Sequence, residues 1–305
     1  EIPLRLVGSE MCIRDSLDSV PLLIFTGQVG RQSIGKDAFQ EADTVGITAP
    51  ITKYNYQIRD TADIPRIVTE AYYLAQTGRP GPVEIDLPKD VSTLEVTEIN
   101  DPTLNLPHYS PTETASNHQL EKLLTKLSVS KRPVIIAGGG INYSDSVSEF
   151  REFVEKYRIP VVSTLLGLGT LPIDHELQLG MAGMHGSYAA NMALVKADYI
   201  INFGSRFDDR VVSNPLKFAE NAVVAHIDID AAELGKIVKT DIPILSDLKA
   251  ALSRLLQLNK VKTDFNDWIK TVIENKEKAP FTYEPQNHDI RPQETIKLIG
   301  EYSQG

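Results

Sequence analysis

With one cysteine, Cys12, this chain of 305 residues can form no internal disulfide and no cysteine-built zinc site, which suits a reducing compartment. Histidine is scarce as well: the 6 present fall at no metal-ligand spacing, so no metal site is expected. Basic residues are the minority charge, 31 Lys and Arg against 41 Asp and Glu, and they are dispersed. A formal charge of -10 without a clustered basic patch argues against a phosphate-backbone binder, so no nucleic-acid partner is expected. No apolar run approaches the roughly 20 residues of a membrane span, and no charged-then-apolar signal segment opens the chain. The expectation is a soluble, unexported, cytoplasmic protein with no membrane partner. No solenoid-length repeat and no low-complexity segment occurs.

The composition, 42% hydrophobic and 24% charged, is that of a globular chain long enough for about two domains. Residues 1–16 carry no clear helical or strand period and join abruptly onto a strongly patterned region. They are expected to be an artefactual or disordered extension, outside the fold. Pro21 to Gly27 is an apolar run ending in glycine, as for a strand buried on both faces of a parallel sheet. Ile64, Ile67, Val68, Ala71, Tyr72 and Ala75 repeat at three and four, with Asp60 to Asp63 to cap and Gly78 to end a helix. Val83 to Leu87 then reads as a second strand. Strand, helix and strand make a fragment of an α/β layer, placed at 17–93, whose sheet would need strands from further upstream.

Polar residues with Pro102, Pro107 and Pro111 predict a linker over 94–117. Alternation then resumes over 118–275: a helix at His118 to Leu127, a strand at Pro133 to Ala137, and a helix at Ser144 to Tyr157 with Val147, Phe150, Val154 and Tyr157 on one stripe. Strands at Val161 to Thr164, Tyr199 to Phe203, Ala222 to Ile229 and Ile242 to Leu245 follow, with a helix around Tyr188 to Val195. A helix over Asp247 to Leu258, capped by Ser246, closes the pattern. The fold class expected is α/β, a doubly wound, Rossmann-like parallel-sheet middle domain preceded by a partial α/β domain. A looser stretch at 276–290 leads into a helical pattern at 291–305, expected to open a further, truncated domain.

Ligands of open parallel sheets bind where loops leave the carboxyl ends of strands. Gly138-Gly139-Gly140 follows a strand and could let backbone approach a pyrophosphate, although it lacks the G-x-G-x-x-G spacing and reads equally as a tight turn. Gly204-Ser205-Arg206-Phe207-Asp208-Asp209-Arg210 sets charges of both signs after an apolar strand. Such a loop could hold a phosphate or carboxylate, or could be a solvated, self-paired turn. Asp228, in His226-Ile227-Asp228-Ile229-Asp230, stands where a nucleotide hydroxyl finds an acceptor, and Asp230 could cap a helix. Taken alone, Phe39 reads as core and Lys89 as an exposed charge.

Several segments in order carry a resemblance: Phe25-Thr26-Gly27-Gln28-Val29, Asp37-Ala38-Phe39-Gln40-Glu41, Gly78-Arg79-Pro80-Gly81-Pro82, Asp86-Leu87-Pro88-Lys89-Asp90, Gly183-Met184-His185-Gly186 and Arg206-Phe207-Asp208-Asp209-Arg210. Together they resemble the catalytic subunits of the acetolactate (acetohydroxyacid) synthase family, over essentially Leu17 to Gly305. The proline-rich motifs alone would indicate only the wider thiamine diphosphate superfamily. The resemblance implies condensation of pyruvate with pyruvate or 2-ketobutyrate, with loss of carbon dioxide, in branched-chain amino-acid synthesis. It makes 17–93 part of a thiamine pyrimidine-binding domain and 118–275 a domain binding FAD, which undergoes no net oxidation or reduction.

By resemblance, Arg79, Gly138, Gly139, Thr164, Leu165, Met184, His185, Gly204, Arg206, Asp208, Asp228, Ile229, Asp247 and Leu248 line the flavin. Arg210 anchors the carboxylate of the second ketoacid, Asp209 orients it, and Phe39, Gln40 and Lys89 border the substrate channel. Gly30 stands where related sequences often have proline, which is expected to loosen that loop. A homodimer or homotetramer and a small regulatory subunit are implied partners. The family's thiamine diphosphate and Mg2+ need a glutamate expected upstream of Leu17 and a Gly-Asp-Gly segment, and the 305 residues contain no Gly-Asp-Gly. This polypeptide alone is therefore expected to be inactive. A flavin-dependent pyruvate oxidase, or a nucleotide-binding module without catalysis, are the alternative readings.

Overall fold

A computed structural model of the chain describes residues 12–96, 99–111, 114–259, 261–280, 282 and 291–303. The expectations for residues 1–11, 97, 98, 112, 113, 260, 281, 283–290, 304 and 305 lie outside the described residues. The chain divides into two compact units, Glu1–Glu113 and Thr114–Gly305.

Three parallel strands form the sheet of the first unit, in the order β1-β3-β2: β1 Leu22–Gln28, β2 Tyr54–Gln57 and β3 Pro82–Pro88. The helix Ile64–Gln76 lays Ile67, Ala71, Leu74 and Ala75 against Val83 and Ile85, as its three-and-four spacing requires. Capping is divided between the two aspartates. Asp60 accepts from the Ala62 amide, whereas the carboxylate of Asp63 is taken by Arg66 and Asn100. Strand β2 gave no sequence signal because Tyr-Asn-Tyr-Gln has no apolar run; Tyr56 turns to the helix and donates to the buried Glu70 at 3.0 Å.

Residues 12–17 are helical, with Cys12 and Asp15 buried, a departure from the extension expected over 1–16. The supposed linker also departs from expectation in its first part. Asn100 donates its amide to the Ala62 carbonyl, the Asn105 amide donates to Glu70, and Tyr109 donates to the Thr77 carbonyl at 2.7 Å. Its polar residues thus complete the hydrogen bonding of the helix Ile64–Gln76 rather than serving a free tether.

In the second unit six parallel strands run in the order β6-β5-β4-β7-β8-β9. They are β4 Pro133–Ala137, β5 Val161–Ser163, β6 Gln178–Met181, β7 Tyr199–Phe203, β8 Val223–Asp228 and β9 Ile242–Leu245. The chain adds strands on one side of β4, then returns to add the rest on the other, which is the doubly wound order. Because parallel crossovers are right-handed, those from β4 to β5 and from β6 to β7, which run in opposite directions across the sheet, put Val147–Tyr157 and Tyr188–Lys196 on opposite faces. Accordingly Val147–Tyr157 packs on Leu248–Gln257, and Tyr188–Lys196 on Asn266–Lys278. Every residue of β4 and β7 is buried, as two covered faces demand. Phe203 meets Phe150 and Phe153 edge-on, with ring centroids 6.0 and 5.5 Å away.

Three details depart from the sequence expectations. Strand β6 is additional; it is short, and its register with β5 shifts. The helix Asn266–Lys278 crosses the expected boundary at 275, burying Trp268, Ile269 and Val272, with the Trp268 indole donating to the Pro133 carbonyl at 3.0 Å. Asp247, not Ser246, caps the helix Leu248–Gln257 by accepting from the Ala250 amide at 3.0 Å, while the Ser246 hydroxyl accepts the Ala115 amide. The helix Pro292–Ser303 has no buried residue, and Ile296, Ile299 and Tyr302 are exposed along it. Among the described residues no helix is long and apolar enough to cross a membrane.

Candidate functional site

The strand order of the second unit reverses between β4 and β7, and their carboxyl ends meet there through glycine backbone. The Gly138 amide donates to the Phe203 carbonyl at 2.9 Å, and the Gly140 amide to the Gly204 carbonyl at 3.1 Å. A Cβ at Gly138 would strike the Gly204 carbonyl, and one at Gly140 would come within 2.8 Å of the Gly204 Cα. Gly204 itself has φ +63. These glycines therefore let two strand-end loops touch, and the tight-turn reading of the triple glycine accounts for Gly138 and Gly140. The alpha carbon of Gly139 faces Leu166 and Tyr143.

Beyond β7 the loop dives and returns. Phe207, at φ +55, is buried with its ring edge-on to Phe218 and His226, 5.7 and 5.1 Å away. Asp208 then accepts the amides of Arg210 at 3.1 Å and Val211 at 3.3 Å through Oδ1, which fixes the turn; its Oδ2 lies 3.8 Å from the Arg206 guanidinium. Asp209 and Arg210 are exposed, and no ion pair joins them among the described residues. The expected orienting contact from Asp209 is thus not made; Asp208, acting through backbone, sets the position of Arg210. The loop after β6 lies against this one: Met184 donates its amide to the Arg210 carbonyl, and the side chain of Asn191 both accepts from the Gly183 amide and donates to the Gly183 carbonyl, each at 2.9 Å. Met184 and His185 are exposed.

At the end of β5 the Thr164 hydroxyl accepts the Gly167 amide, turning the chain so that Leu165 stands 70% exposed. At the end of β8 the buried Asp228 holds the Asp230 amide with Oδ1 at 2.9 Å, and its own carbonyl accepts the Ser246 amide. Ile229 is half-buried beside it. Asp230 accepts the Ala232 amide in a turn. Asp247 is committed to its cap, and Leu248 is buried against Gly204 and Gly140. Thr164, Leu165, Met184, His185, Arg206, Asp208, Asp228, Ile229 and Asp247 all belong to strand-end loops of this one sheet. Among the described residues no cluster of His, Cys, Asp and Glu could hold a metal ion.

Arg79, Phe39, Gln40 and Lys89 belong to the first unit. The Arg79 guanidinium donates to the Ser19 hydroxyl at 3.0 Å and the Leu17 carbonyl at 3.2 Å. Phe39 is 89% exposed, and Gln40, at φ +64, follows it in a loop organised by Glu41. That carboxylate accepts the Ala38, Gly35 and Lys36 amides, which hold it below the ordinary glutamate range. Gln28, to which the sequence gave no role, bonds both Lys89 and the chain just beyond Glu41. Its side chain donates to the Ala42 carbonyl at 2.6 Å, and its carbonyl accepts the Lys89 amide at 2.9 Å. Gly30 has φ -57, within the range of proline, and the next residue, Arg31, is clamped by Asp90 at 2.8 Å. The loop is therefore tied rather than loosened, and the guanidinium of Arg31 holds the Asp90 carboxyl below its usual range.

Beneath these loops the central strand buries two carboxylates, Glu84 and Asp86, on one face. Thr26 donates to both, Gln28 and Gln57 to Asp86, and Asn55 to Glu84. Burial pushes the Glu84 carboxyl up and the neighbouring Asp86 charge adds to this, against the opposing hydrogen bonds from Thr26 and Asn55. No sequence pattern pointed to this cluster, since Val83 to Leu87 otherwise reads as apolar strand.

Residues 120–255 match the family model described as the thiamine pyrophosphate enzyme central domain. Over 289 residues the chain is 89% identical to the acetolactate synthase large subunit of Lactococcus lactis subsp. lactis, covering 95% of this chain and 50% of that protein. It is 44% identical to the acetolactate synthase large subunit of Corynebacterium glutamicum, over 93% of this chain and 46% of that one. Identity is also 44% to the chloroplastic acetolactate synthase 1 of Oryza sativa subsp. japonica, over 95% and 46%. The chain spans about half the length of the curated relatives it matches.

Proposed function

From the chain's membership of the acetolactate synthase large-subunit family of thiamine pyrophosphate enzymes, we infer that its second unit is the flavin-holding part of such an enzyme. The whole protein would join two 2-ketoacids, pyruvate with pyruvate or 2-ketobutyrate, and release carbon dioxide. The observation that carries the reading is the reversal of strand order between β4 and β7, which gathers the expected ligand residues into the loops of one sheet edge.

The residues present fit FAD. Asn202 and His226 offer buried polar atoms with no hydrogen-bond partner beside Asp228, and Leu165 and Met184 stand exposed at neighbouring strand ends. Arg206 supplies positive charge for a diphosphate, Asp228 an acceptor for a hydroxyl, and Leu165 and Met184 apolar surface for a ring. The flavin would supply a bound ring system without net redox change. Asp209 and Arg210 stand exposed in the loop that Asp208 fixes. The guanidinium of Arg210 makes no ion pair among the described residues, so its paired donors remain available to a ketoacid carboxylate. Within the first unit, Phe39, Gln40 and Lys89 are the residues proposed to border a substrate channel.

The residues present do not fit the magnesium diphosphate end of thiamine diphosphate, because no Gly-Asp-Gly occurs in the 305 residues, and no step is derived through it. Assembly into a homodimer or homotetramer, a small regulatory subunit and a cytoplasmic setting complete the proposal. Its test is a titration of the purified 305-residue chain with FAD, followed by quenching of flavin fluorescence. Saturation at one equivalent, with far weaker binding of ADP and NAD, is the expected result. Absence of binding, or equal affinity for all three, overturns the reading. The same preparation is expected to form no acetolactate from pyruvate.

A further inference from the structure

His226 lies at the centre of β8 with 0% exposure, and neither ring nitrogen has a hydrogen-bond partner among the described residues. A buried unpaired polar group has lost its water without replacement, so a fold that keeps one calls for a reason. Two residues further along the same face is Asp228. Its Oδ1 is spent on the Asp230 amide, and its Oδ2 lies 3.4 Å from His226 Nε2, close but not aligned as a hydrogen bond. Across the sheet the register partner of His226 is Asn202, whose side chain shares that face. Asn202 is also fully buried; its amide nitrogen donates to the Ser205 carbonyl at 2.6 Å, while its Oδ1 has no partner. Phe207 covers the imidazole from the loop that carries Arg206 and Arg210.

We propose that His226 is the positioning residue for Asp228, holding Oδ2 toward a ligand hydroxyl while the edge-on ring of Phe207 packs against the imidazole. The proposal rests on the nucleotide-binding reading of this unit and gives His226 a part in it that involves no contact with the ligand. A neutral imidazole has one donor and one acceptor nitrogen. A small ring rotation brings Nε2–H onto Oδ2, and a carboxylate oxygen has lone pairs enough to accept both that proton and one from a ligand hydroxyl. His226 thereby acts through Asp228 and touches no ligand itself.

The experiment titrates the 305-residue chain with FAD in the wild type, His226→Leu, His226→Gln, Asp228→Ala and the His226→Leu/Asp228→Ala double variant, with urea midpoints measured alongside. Leucine removes both nitrogens and is expected to weaken FAD binding about tenfold, the loss of one hydrogen bond to a charged group. Glutamine returns a donor and is expected to restore affinity to within about threefold. In the double variant FAD should bind no more weakly than in Asp228→Ala, since a positioning residue has nothing left to position; a residue that merely packs would add its own loss. Wild-type affinity in His226→Leu, or additive losses in the double variant, overturns the proposal. If the leucine variant does not fold, His226→Gln decides: wild-type-like affinity supports, and a loss as large as that of Asp228→Ala overturns. A wild-type chain that binds no FAD brings down the flavin reading itself, whereas a binding wild type with an indifferent His226 brings down this inference alone.

Discussion

The amide of Met184 donates to the carbonyl of Arg210 at 3.3 Å, joining the loop after β6 to the loop after β7. Gly183 makes this approach possible. At φ +97 it has no Cβ, and a Cβ would be driven into that same Arg210 carbonyl. Gly183→Ala is expected to cost about 3 kcal/mol or more and to weaken FAD binding. Gly235, at φ +76 with open space around it, is the control, and Gly235→Ala should cost only about 1–2 kcal/mol. Urea midpoints compare the two; equal losses would show that the collision at Arg210 does not matter.

Arg210 presents a guanidinium on a turn fixed by Asp208. In a polypeptide spanning the whole length of the relatives, Arg210→Lys should raise KM for the second ketoacid by about tenfold while flavin content stays unchanged, because lysine cannot reproduce a bidentate grip on a carboxylate. An unaltered KM would remove Arg210 from substrate binding.

The raised carboxyl of Glu84 makes the first unit sensitive to pH in a definite direction. A carboxyl lifted above the ordinary glutamate value of about 4.3 holds its proton more tightly in the folded state. Its contribution to stability is full below that value and falls away as pH rises through the folded-state value. Glu84→Gln, which keeps the shape and one of the two acceptor oxygens but cannot ionise, should flatten this decline and stabilise the unit at neutral pH. Denaturation midpoints of both proteins across pH 4 to 8 would test it. Parallel pH profiles would mean that folding does not shift the titration of Glu84.

Gly30 sits at φ -57, and a Cβ placed there would make only ordinary contact with Asp90 at 3.7 Å. Gly30→Pro is therefore expected to stabilise by about 0.4–1 kcal/mol through the unfolded chain. A lowered thermal midpoint would show that the backbone of this loop needs its freedom after all.

How far the sequence spoke depended on whether a feature was periodic. The strands β4 and β7 were legible because both faces are covered, which forces unbroken apolar runs, and the helix Ile64–Gln76 because one face is. Tyr54–Gln57 was hard to read because four residues alternating tyrosine with amide are too few and too polar to stand out, and β6 because its register slips. The helix Asn266–Lys278 hid its narrow stripe of Trp268, Ile269 and Val272 among charged residues. At the candidate site, motifs announced the loops, but not which carboxylate steers Arg210. The acid two residues before it, which grips backbone, does so in place of the adjacent Asp209. Gln28, Asn202 and His226 lay in ordinary-looking strands, and only register and burial distinguish them.

The strand β4, first of its sheet to be made, finishes between two later arrivals, β5 and β7. Until β7 emerges, one of its edges offers unpaired amides and carbonyls on a wholly apolar ribbon, Val134 to Ala137. During synthesis that edge of β4 stays without its native partner until the chain has been made as far as Phe203. A ribosome paused within the helix Tyr188–Lys196 should hold the nascent chain at that hazard, and a chaperone able to shield a strand edge would be most needed there.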